Sequence, residues 1–272
     1  MSDFQIGDVV TRKSYGSDVY FAVTDIISTS RAKPVFVLRG LLHRIEADSA
    51  EDDLVKKNSR NAYLSAQRYF SNVSQLVNKK SNLNNLLLLS RFNAKPGKIL
   101  HIDSSRDFLD MCMKQYKEAR LEPVGILAPE SQQPGIVRNL LEQNRPDILV
   151  VTGHDGIKKG NEKRDSVESY RTSKYFIQCV NIARKYQPDK DRLSIFAGAC
   201  QSYYEAIIDA GANFASSPGR ILINALDPSI IAKKIALTDS RKIILPKDVI
   251  RLTVSGEKGI GGVNTKGHLT WV

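Results

Sequence analysis

Short apolar runs alternate with stretches of helical periodicity from Lys98 to the end of the sequence, and this alternation restricts the fold more than any other feature. The periodicity predicts strands at 98–103, 123–128, 147–152 and 193–197, and helices at 107–119, 134–143 and 167–185. It adds a helix at 203–210, a strand at 214–216 continuing at 221–223, a helix at 228–236 and a last strand at 249–254. Continuous apolar strands separated by helices are typical of a parallel sheet covered on both faces. An α/β fold is therefore predicted for residues 98–272.

Two of these strands end on reactive side chains. The third strand runs into His154 and the fourth into Cys200, 46 residues later. Functional groups of parallel α/β sheets gather beyond the carboxyl ends of the strands. Consecutive strand–helix units are often neighbours in the sheet. We therefore expect the imidazole and the thiol to face one cleft.

The pair predicts nucleophilic chemistry. A thiol near neutral pH needs a base or a positive neighbour to act as a nucleophile, and an imidazole can serve as that base. Backbone N–H groups of Asp155, Gly156 and Cys200 are candidates for stabilising an oxyanion. The other two cysteines, Cys112 and Cys179, lie on apolar helix faces and are predicted to be core residues.

The N-terminal part of the chain has a different pattern. Strands are predicted at 8–12, 19–25, 34–38 and 42–47, and such short, closely spaced strands suggest a small β-barrel over residues 1–55. Residues 56–97 follow as a linker with helical content around 62–77, and the run Leu86–Leu89 is expected to pack on a neighbouring domain. This linker carries eight basic and no acidic side chains. A nucleic-acid contact is one interpretation, but few aromatics interleave with the charges, which favours a solvated linker.

Composition limits the compartment and the class of site. No apolar run approaches the roughly 18–20 residues that a membrane span requires, and the N-terminus does not have the pattern of a secretory signal. Three cysteines without close pairs favour a reducing compartment over a disulfide framework. The four histidines are scattered, so neither a metal nor a cofactor is predicted.

The order of the reactive residues resembles that of the caspase-like cysteine peptidases, in which a strand ending in His-Gly precedes one ending in Ala-Cys. Two departures are visible. His154 is followed by Asp155 and only then by Gly156, and Gly198 stands where a polar residue is usual. The resemblance implies a caspase-like parallel-sheet peptidase domain, preceded here by the small β-barrel.

Longer strings resemble the YabG family of sporulation-specific proteases. They lie at 4–15, 146–155, 196–202, 210–218 and 224–228, and include FQIGDVVTRKSY and FAGACQS. This resemblance implies an endopeptidase that cleaves after arginine and processes spore coat and germination proteins. It implies His154 as base and Cys200 as nucleophile. It also implies a location in the cytoplasm of the sporulating cell, with association with the spore coat.

Recognition of arginine requires a carboxylate, because a guanidinium pairs best with one. Asp103 is the first candidate, since it ends the first strand of the α/β domain, at the sheet edge where His154 and Cys200 are predicted to lie. Its other possible role is to cap the following helix, where Ser105 competes with it. Asp155 is the second candidate, and Asp209 and Asp227 are weaker ones.

Arginine specificity adds a prediction about the linker. Arg60, Arg68 and Arg91 lie where a flexible chain could enter the site, so self-cleavage between the two domains is predicted.

Two alternatives remain at this point. An amidotransferase-like cysteine hydrolase would place its histidine after the cysteine, where only His268 is available and no acidic partner is near. A non-enzymatic basic scaffold would bind coat proteins or nucleic acid through its barrel. Selective alkylation of Cys200 that depends on His154 would argue against the scaffold.

Overall fold

The computed structural model describes residues 3–29, 32–80, 94–158 and 164–271. The predicted contact of Leu86–Leu89 and the predicted cleavage at Arg91 fall outside these ranges. Two sheets dominate the fold, an antiparallel one near the N-terminus and a parallel-rich one in the remainder of the chain. The structure is therefore a mixed α/β protein.

The N-terminal sheet has five antiparallel strands. They are β1 (Val9–Arg12), β2 (Phe21–Thr29), β3 (Ala32–Gly40), β4 (Glu46–Ala50) and β5 (Leu54–Lys56). Their order is β4-β3-β2-β1-β5, and the described pairs do not join β4 to β5. The predicted barrel is therefore not confirmed. Val10, Phe21, Phe36 and Leu38 are buried on one side of this sheet.

The second sheet has six strands. They are β7 (Ile99–Asp103), β8 (Val124–Leu127), β9 (Ile148–Val151), β10 (Ser194–Ala197), β11 (Phe214–Ser216) and β13 (Ile260–Gly262). Their order is β13-β11-β10-β9-β7-β8, and all pairs are parallel except β11 with β13. Two small sheets complete the set: β6 (Ala94–Lys95) with β15 (Thr270–Trp271), and β12 (Ile243–Ile244) with β14 (Thr265–Lys266).

Helices cover both faces of the parallel-rich sheet, as its continuous apolar strands require. The helices are α1 (Ser59–Lys80), α2 (Arg106–Glu118), α3 (Gln133–Asn144), α4 (Ser173–Tyr186), α5 (Tyr204–Asp209), α6 (Asp227–Ala236), α7 (Pro246–Ile250) and α8 (Gly256–Gly259). The core on one face unites side chains of α1, α2 and α6 with Val150 and Phe196. The core on the other face unites α3, α4 and α5 with Leu149 and Ile195. Cys112 and Cys179 are buried in these two cores. None of the described helices is both long and apolar enough to span a bilayer.

The predicted continuation of a strand at 221–223 is absent, and three other predicted elements differ from the structure in type or bounds. The predicted strand at 249–254 overlaps α7, because Pro246 begins a helical turn there, and the late strand is β13. The predicted helix at 167–185 starts only at Ser173 in α4, after a 3₁₀ turn at Val167–Ser169. The predicted strand at 42–47 begins only at Glu46, and the residues before it form the loop between β3 and β4.

This β3–β4 loop, Leu41–Ile45, joins the two sheets. Ile45 forms a parallel bridge with Asp155, and His43 forms an antiparallel bridge with Asn224. Ile45 also shares a buried apolar cluster with Cys200 and with the N-terminal strands. The N-terminal sheet therefore packs against the carboxyl edge of the parallel strands, where the reactive residues lie.

Candidate active site

The pairing of β9 with β10 brings the two reactive residues to one edge. Val151 pairs with Ala197 as the last parallel pair of these neighbouring strands. His154 and Cys200 each lie three residues beyond that pair. The expectation that the two strands are neighbours is confirmed.

Cys200 lies on a sharp turn after β10. Gly198 has a φ of +110° and Gln201 a φ of 55°, so the chain leaves the strand through two left-handed residues. The thiol is fully buried, and its Sγ accepts a hydrogen bond from the N–H of Ile223 at 3.1 Å. Burial raises the pKa of the Cys200 thiol to about 12, against the opposing effects of that N–H and of Arg44. The thiol is therefore protonated in this state.

His154 is buried beside the aromatic ring of Phe108, with 5.4 Å between the ring centroids. Its Nδ1 lies 3.4 Å from Ser104 Oγ. Burial and, second to it, the Arg39 guanidinium lower the pKa of His154 to about 3, outweighing the opposing effects of the Asp103 carboxylate and of the Gly40 backbone. The imidazole is therefore neutral, which is the form that accepts a proton.

A buried carboxylate supports the segment that carries the histidine. Glu130 Oε1 accepts the N–H of His154 at 2.7 Å and the hydroxyl of Ser104 at 2.5 Å, and it lies 3.9 Å from His154 Nδ1. Gly153 is packed so closely that a methyl group there would come within 2.7 Å of Ser104 Oγ. Glu130 Oε2 accepts from Arg39 at 3.2 Å. These contacts hold His154 from its backbone and from one side of its ring.

The carbonyl oxygen of Arg44 is bound at the carboxyl edge by two N–H groups. Asp155 and Cys200 each donate a backbone hydrogen bond to it, both at 3.1 Å. Glu46 then donates to the carbonyl of Asp155 at 2.9 Å, which continues the parallel bridge of the loop. Within the described ranges no hydrogen bond joins the His154 imidazole to the Cys200 thiol. Two converging N–H groups on one carbonyl oxygen have the geometry of an oxyanion hole.

The side chain of Arg44 is fully buried against Asp103. Its Nη1 donates to Asp103 Oδ2 at 2.8 Å, and its Nη2 donates to the Ala225 carbonyl at 2.9 Å. The guanidinium also lies over the Phe108 ring, 4.9 Å from the centroid. Burial alone would raise the pKa of Asp103, but Arg44, followed by His101, holds it well below its ordinary value. The result is a closed pocket that binds an arginine side chain through a carboxylate.

Ser105, rather than Asp103, caps the helix that follows. Its hydroxyl accepts the N–H of Phe108 at the start of α2, at 3.4 Å. Asp103 Oδ1 accepts the N–H of Ser105 at 2.9 Å, which fixes the carboxylate and leaves its second oxygen to Arg44.

The other predicted carboxylates are not in contact with the Arg44 guanidinium. Asp155 binds Ser173 and Ser202 through its side chain and accepts the N–H of Gly156, so that N–H does not reach the Arg44 carbonyl. Asp209 is exposed at the end of α5. Asp227 is buried and accepts the N–H groups of Val254 and Ser255. These acids stabilise local structure instead.

His268, the histidine of the amidotransferase alternative, lies far along β10 from the thiol. Its Nε2 is 2.9 Å from the Oγ of Ser194, the first residue of that strand, whereas Cys200 follows the last. This position at the opposite end of β10 disfavours the alternative.

The sequence reasoning missed Glu130, Ser104 and Arg44. Ser104 directly follows β7 and Glu130 lies three residues after β8, so the rule about carboxyl ends of strands would have selected both. Arg44 carries no such signal, because it lies in what the pattern predicts to be a strand.

Comparison with known proteins identifies the family. The model described as YabG peptidase U57 matches residues 5–272. The chain belongs to the YabG peptidase family. It is 40% identical over 279 aligned positions to the sporulation-specific protease YabG of Bacillus subtilis (strain 168), and the alignment covers 98% of this chain and 96% of that relative. No solved structure matches the chain.

Membership confirms the resemblance read from the sequence strings. A YabG peptidase acts on proteins and belongs to sporulation, which supports a sporulation peptidase with protein substrates. It also disfavours the non-enzymatic scaffold.

Proposed function

We propose that this chain is a cysteine endopeptidase of sporulation that cleaves after arginine, with Cys200 as nucleophile and His154 as base. One observation carries the proposal. A single residue, Arg44, has its carbonyl oxygen bound by the N–H groups of Cys200 and Asp155, while its guanidinium is paired with Asp103. A substrate residue preceding the bond to be cut needs both contacts at once.

The proposed chemistry gives each group one role. His154 takes the proton of the Cys200 thiol, and the sulfur adds to the carbonyl carbon of the substrate arginine. The N–H groups of Cys200 and Asp155 stabilise the oxyanion that forms. His154 then gives the proton to the leaving amine, and water hydrolyses the thioester. Gly156, whose N–H is bound by the Asp155 carboxylate, contributes to the shape of this turn rather than to the oxyanion.

Arginine preference is attributed to Asp103. A buried carboxylate favours a cation, and the Ala225 carbonyl accepts from a second nitrogen of the guanidinium fork. A lysine ammonium is a point charge and does not match both acceptors from one planar group. The Phe108 ring below the guanidinium adds a stacking surface.

The proposed substrates are spore coat and germination proteins, encountered in the cytoplasm of the sporulating cell and at the spore coat. The name of the Bacillus subtilis relative supports sporulation, and the resemblance to YabG proteases supports the coat. A cavity of about 850 Å³ opens beside His154, between α1, α2 and the end of β3, and offers room for residues of such a substrate. Neither a cofactor nor nucleic acid has a role in this proposal.

A peptide library containing arginine and lysine tests the proposed activity. We expect wild-type protein to cut after arginine and Cys200→Ala to reduce the rate by roughly 1000-fold or more, because the nucleophile is lost. Cys179→Ala is the matched control, since this thiol is buried in the α4 core, and it should retain activity. Cleavage by Cys200→Ala at the wild-type rate would contradict the proposal.

Asp103→Asn tests the specificity pocket separately. Loss of a charge-assisted hydrogen bond of about 1.5–3 kcal/mol predicts a fall of about 10- to 100-fold in kcat/KM for arginine peptides. For peptides with uncharged citrulline in place of arginine, kcat/KM should fall far less in this variant. Asp209→Asn, at an exposed site, should keep the wild-type ratio between the two peptides. The same wild-type ratio in Asp103→Asn would remove Asp103 from the pocket.

A further inference from the structure

Arg44 occupies the site of the proposed peptidase as a substrate residue would. Resting on the proposed function, we propose that the Arg44–Ile45 peptide bond is this chain's own cleavage site, cut within the same molecule. The products would be Met1–Arg44 and a chain that begins at Ile45. No other arginine can enter the pocket while Arg44 fills it, so this cleavage precedes cleavage of other proteins.

The backbone of the loop supports this assignment. The residue whose N–H binds the Arg44 carbonyl, Cys200, is also the residue that carries the nucleophilic sulfur. On the other side of the bond, Ile45 forms a parallel bridge with Asp155. The segment therefore lies extended through the site, with its carbonyl already in the position of the oxyanion.

The side chain gives an independent argument. Burying a guanidinium is costly unless it is paired, whereas an apolar residue would fill a closed pocket without that cost. The tip of a hairpin loop that only had to pack on the second sheet would not require an arginine. Arg44 instead is completely buried and makes its contacts with Asp103 and with the Ala225 carbonyl. The residue matches the specificity that the pocket would impose on any substrate.

The arginines of the linker fit the site less well. Arg60 and Arg68 lie within α1, where the backbone is helical and its carbonyls are engaged in hydrogen bonds along the helix. Such a segment must unwind before its carbonyl can enter an oxyanion hole. The Arg44 carbonyl already accepts two N–H groups without any unwinding, which favours the β3–β4 loop over the linker as the site of self-cleavage.

Water is the only reactant that this cleavage needs besides the chain itself. His154 removes the thiol proton, and the sulfur of Cys200 forms a bond to the Arg44 carbonyl carbon. The bond from that carbon to the Ile45 nitrogen breaks as His154 returns the proton to this nitrogen. Water then hydrolyses the thioester, which leaves a carboxylate on Arg44 and restores the thiol.

Intact mass and N-terminal sequencing under denaturing conditions test the cleavage. Wild-type protein should convert to the 44-residue fragment and a chain starting at Ile45, at a first-order rate that does not depend on protein concentration. Cys200→Ala from the same host should stay joined at Arg44, and it should stay joined when active wild-type protein is added, because its bond is buried in its own site. Arg44→Met should not be cut at this position, whereas Arg12→Met, the same change in β1 of the N-terminal sheet, should still be cut after Arg44.

The outcomes separate this inference from the proposed function. Wild-type protein that cuts arginine peptides but stays joined at Arg44 overturns the inference and leaves the function standing. Wild-type protein that cuts neither itself nor the peptides overturns both. Cleavage at Arg44 in purified Cys200→Ala, alone or with added wild-type protein, overturns cutting within one molecule. Comparison of the wild type with Cys200→Ala needs no change at Arg44, so poor folding of Arg44→Met leaves the test decisive.

Discussion

Glu130 holds His154 in place but is not one of the two groups that react. Its carboxylate is buried and binds both the backbone of His154 and the Ser104 hydroxyl that approaches the imidazole. The absence of a side chain at Gly153 leaves room for both partners. A general base is effective only when its ring is held in one orientation. Glu130 is therefore a positioning residue for His154.

Glu130→Gln keeps an acceptor for the His154 N–H but removes the negative charge near the ring. We expect kcat for arginine peptides to fall roughly 10- to 100-fold with little change in KM, because substrate contacts are unaffected. Steady-state kinetics across pH would measure both constants, and a rise in KM at constant kcat would contradict the positioning role. Glu142→Gln removes an exposed carboxylate of α3, so it is the control and should behave as wild type.

The position of the two reacting groups could be predicted because it depends on local pattern. Apolar strands separated by one helix predicted that β9 and β10 are neighbours, which placed His154 and Cys200 at one edge. The role of Arg44 could not be predicted in this way. Ile45 and Ala47 alternate with the polar Arg44 and Glu46 as in a strand, and only contacts with a distant part of the chain decide that the segment is a loop. The sequence shows that Arg44 is charged, but it does not show that its side chain will be buried against Asp103, 59 residues away.

The β3–β4 loop depends on a close approach between β4 and the turn after β9. A methyl group added at Gly156 would overlap the carbonyl oxygen of Glu46, at the first residue of β4. This approach continues the ladder that the loop makes with Asp155. The loop is thus held at its base by the strands and along its length by the second sheet.

Gly156→Ala should therefore destabilise the protein by about 1–3 kcal/mol, the usual cost of overpacking a tight contact. Thermal unfolding should show a melting temperature lower by several degrees. Gly135→Ala is a matched control in the first turn of α3, where a methyl group meets no atom within 4 Å. That variant should melt at or above the wild-type temperature, since alanine favours the helix. Equal melting temperatures for Gly156→Ala and wild type would show that the contact between Gly156 and the Glu46 carbonyl has room for a methyl group.

The ion pair between Arg44 and Asp103 links the two sheets across the whole molecule. Burial alone would raise the pKa of Asp103, but Arg44 holds it below the ordinary value of about 4. As the pH falls below about 4, the unfolded chain takes up a proton that folded Asp103 does not. The stabilisation from this carboxylate is therefore present above that pH and is lost progressively below it.

Urea unfolding at a series of pH values from about 6 to about 3 would measure this dependence. We expect the free energy of unfolding to fall less steeply with acid in Asp103→Asn than in wild type. Asp209→Asn should follow the wild-type curve. Parallel curves for wild type and Asp103→Asn would mean that the pair does not couple protonation to folding.

The strand order of the N-terminal sheet has a consequence for the cut protein. In the order β4-β3-β2-β1-β5, the three central strands precede Arg44 and both edge strands follow it. The small fragment would stay hydrogen-bonded to the larger chain on both sides, because β3 pairs with β4 and β1 pairs with β5. One gene would then yield a non-covalent heterodimer that elutes as a single species from a sizing column. Dissociation of the two pieces, rather than breakage of the bond, would set when the sheet comes apart.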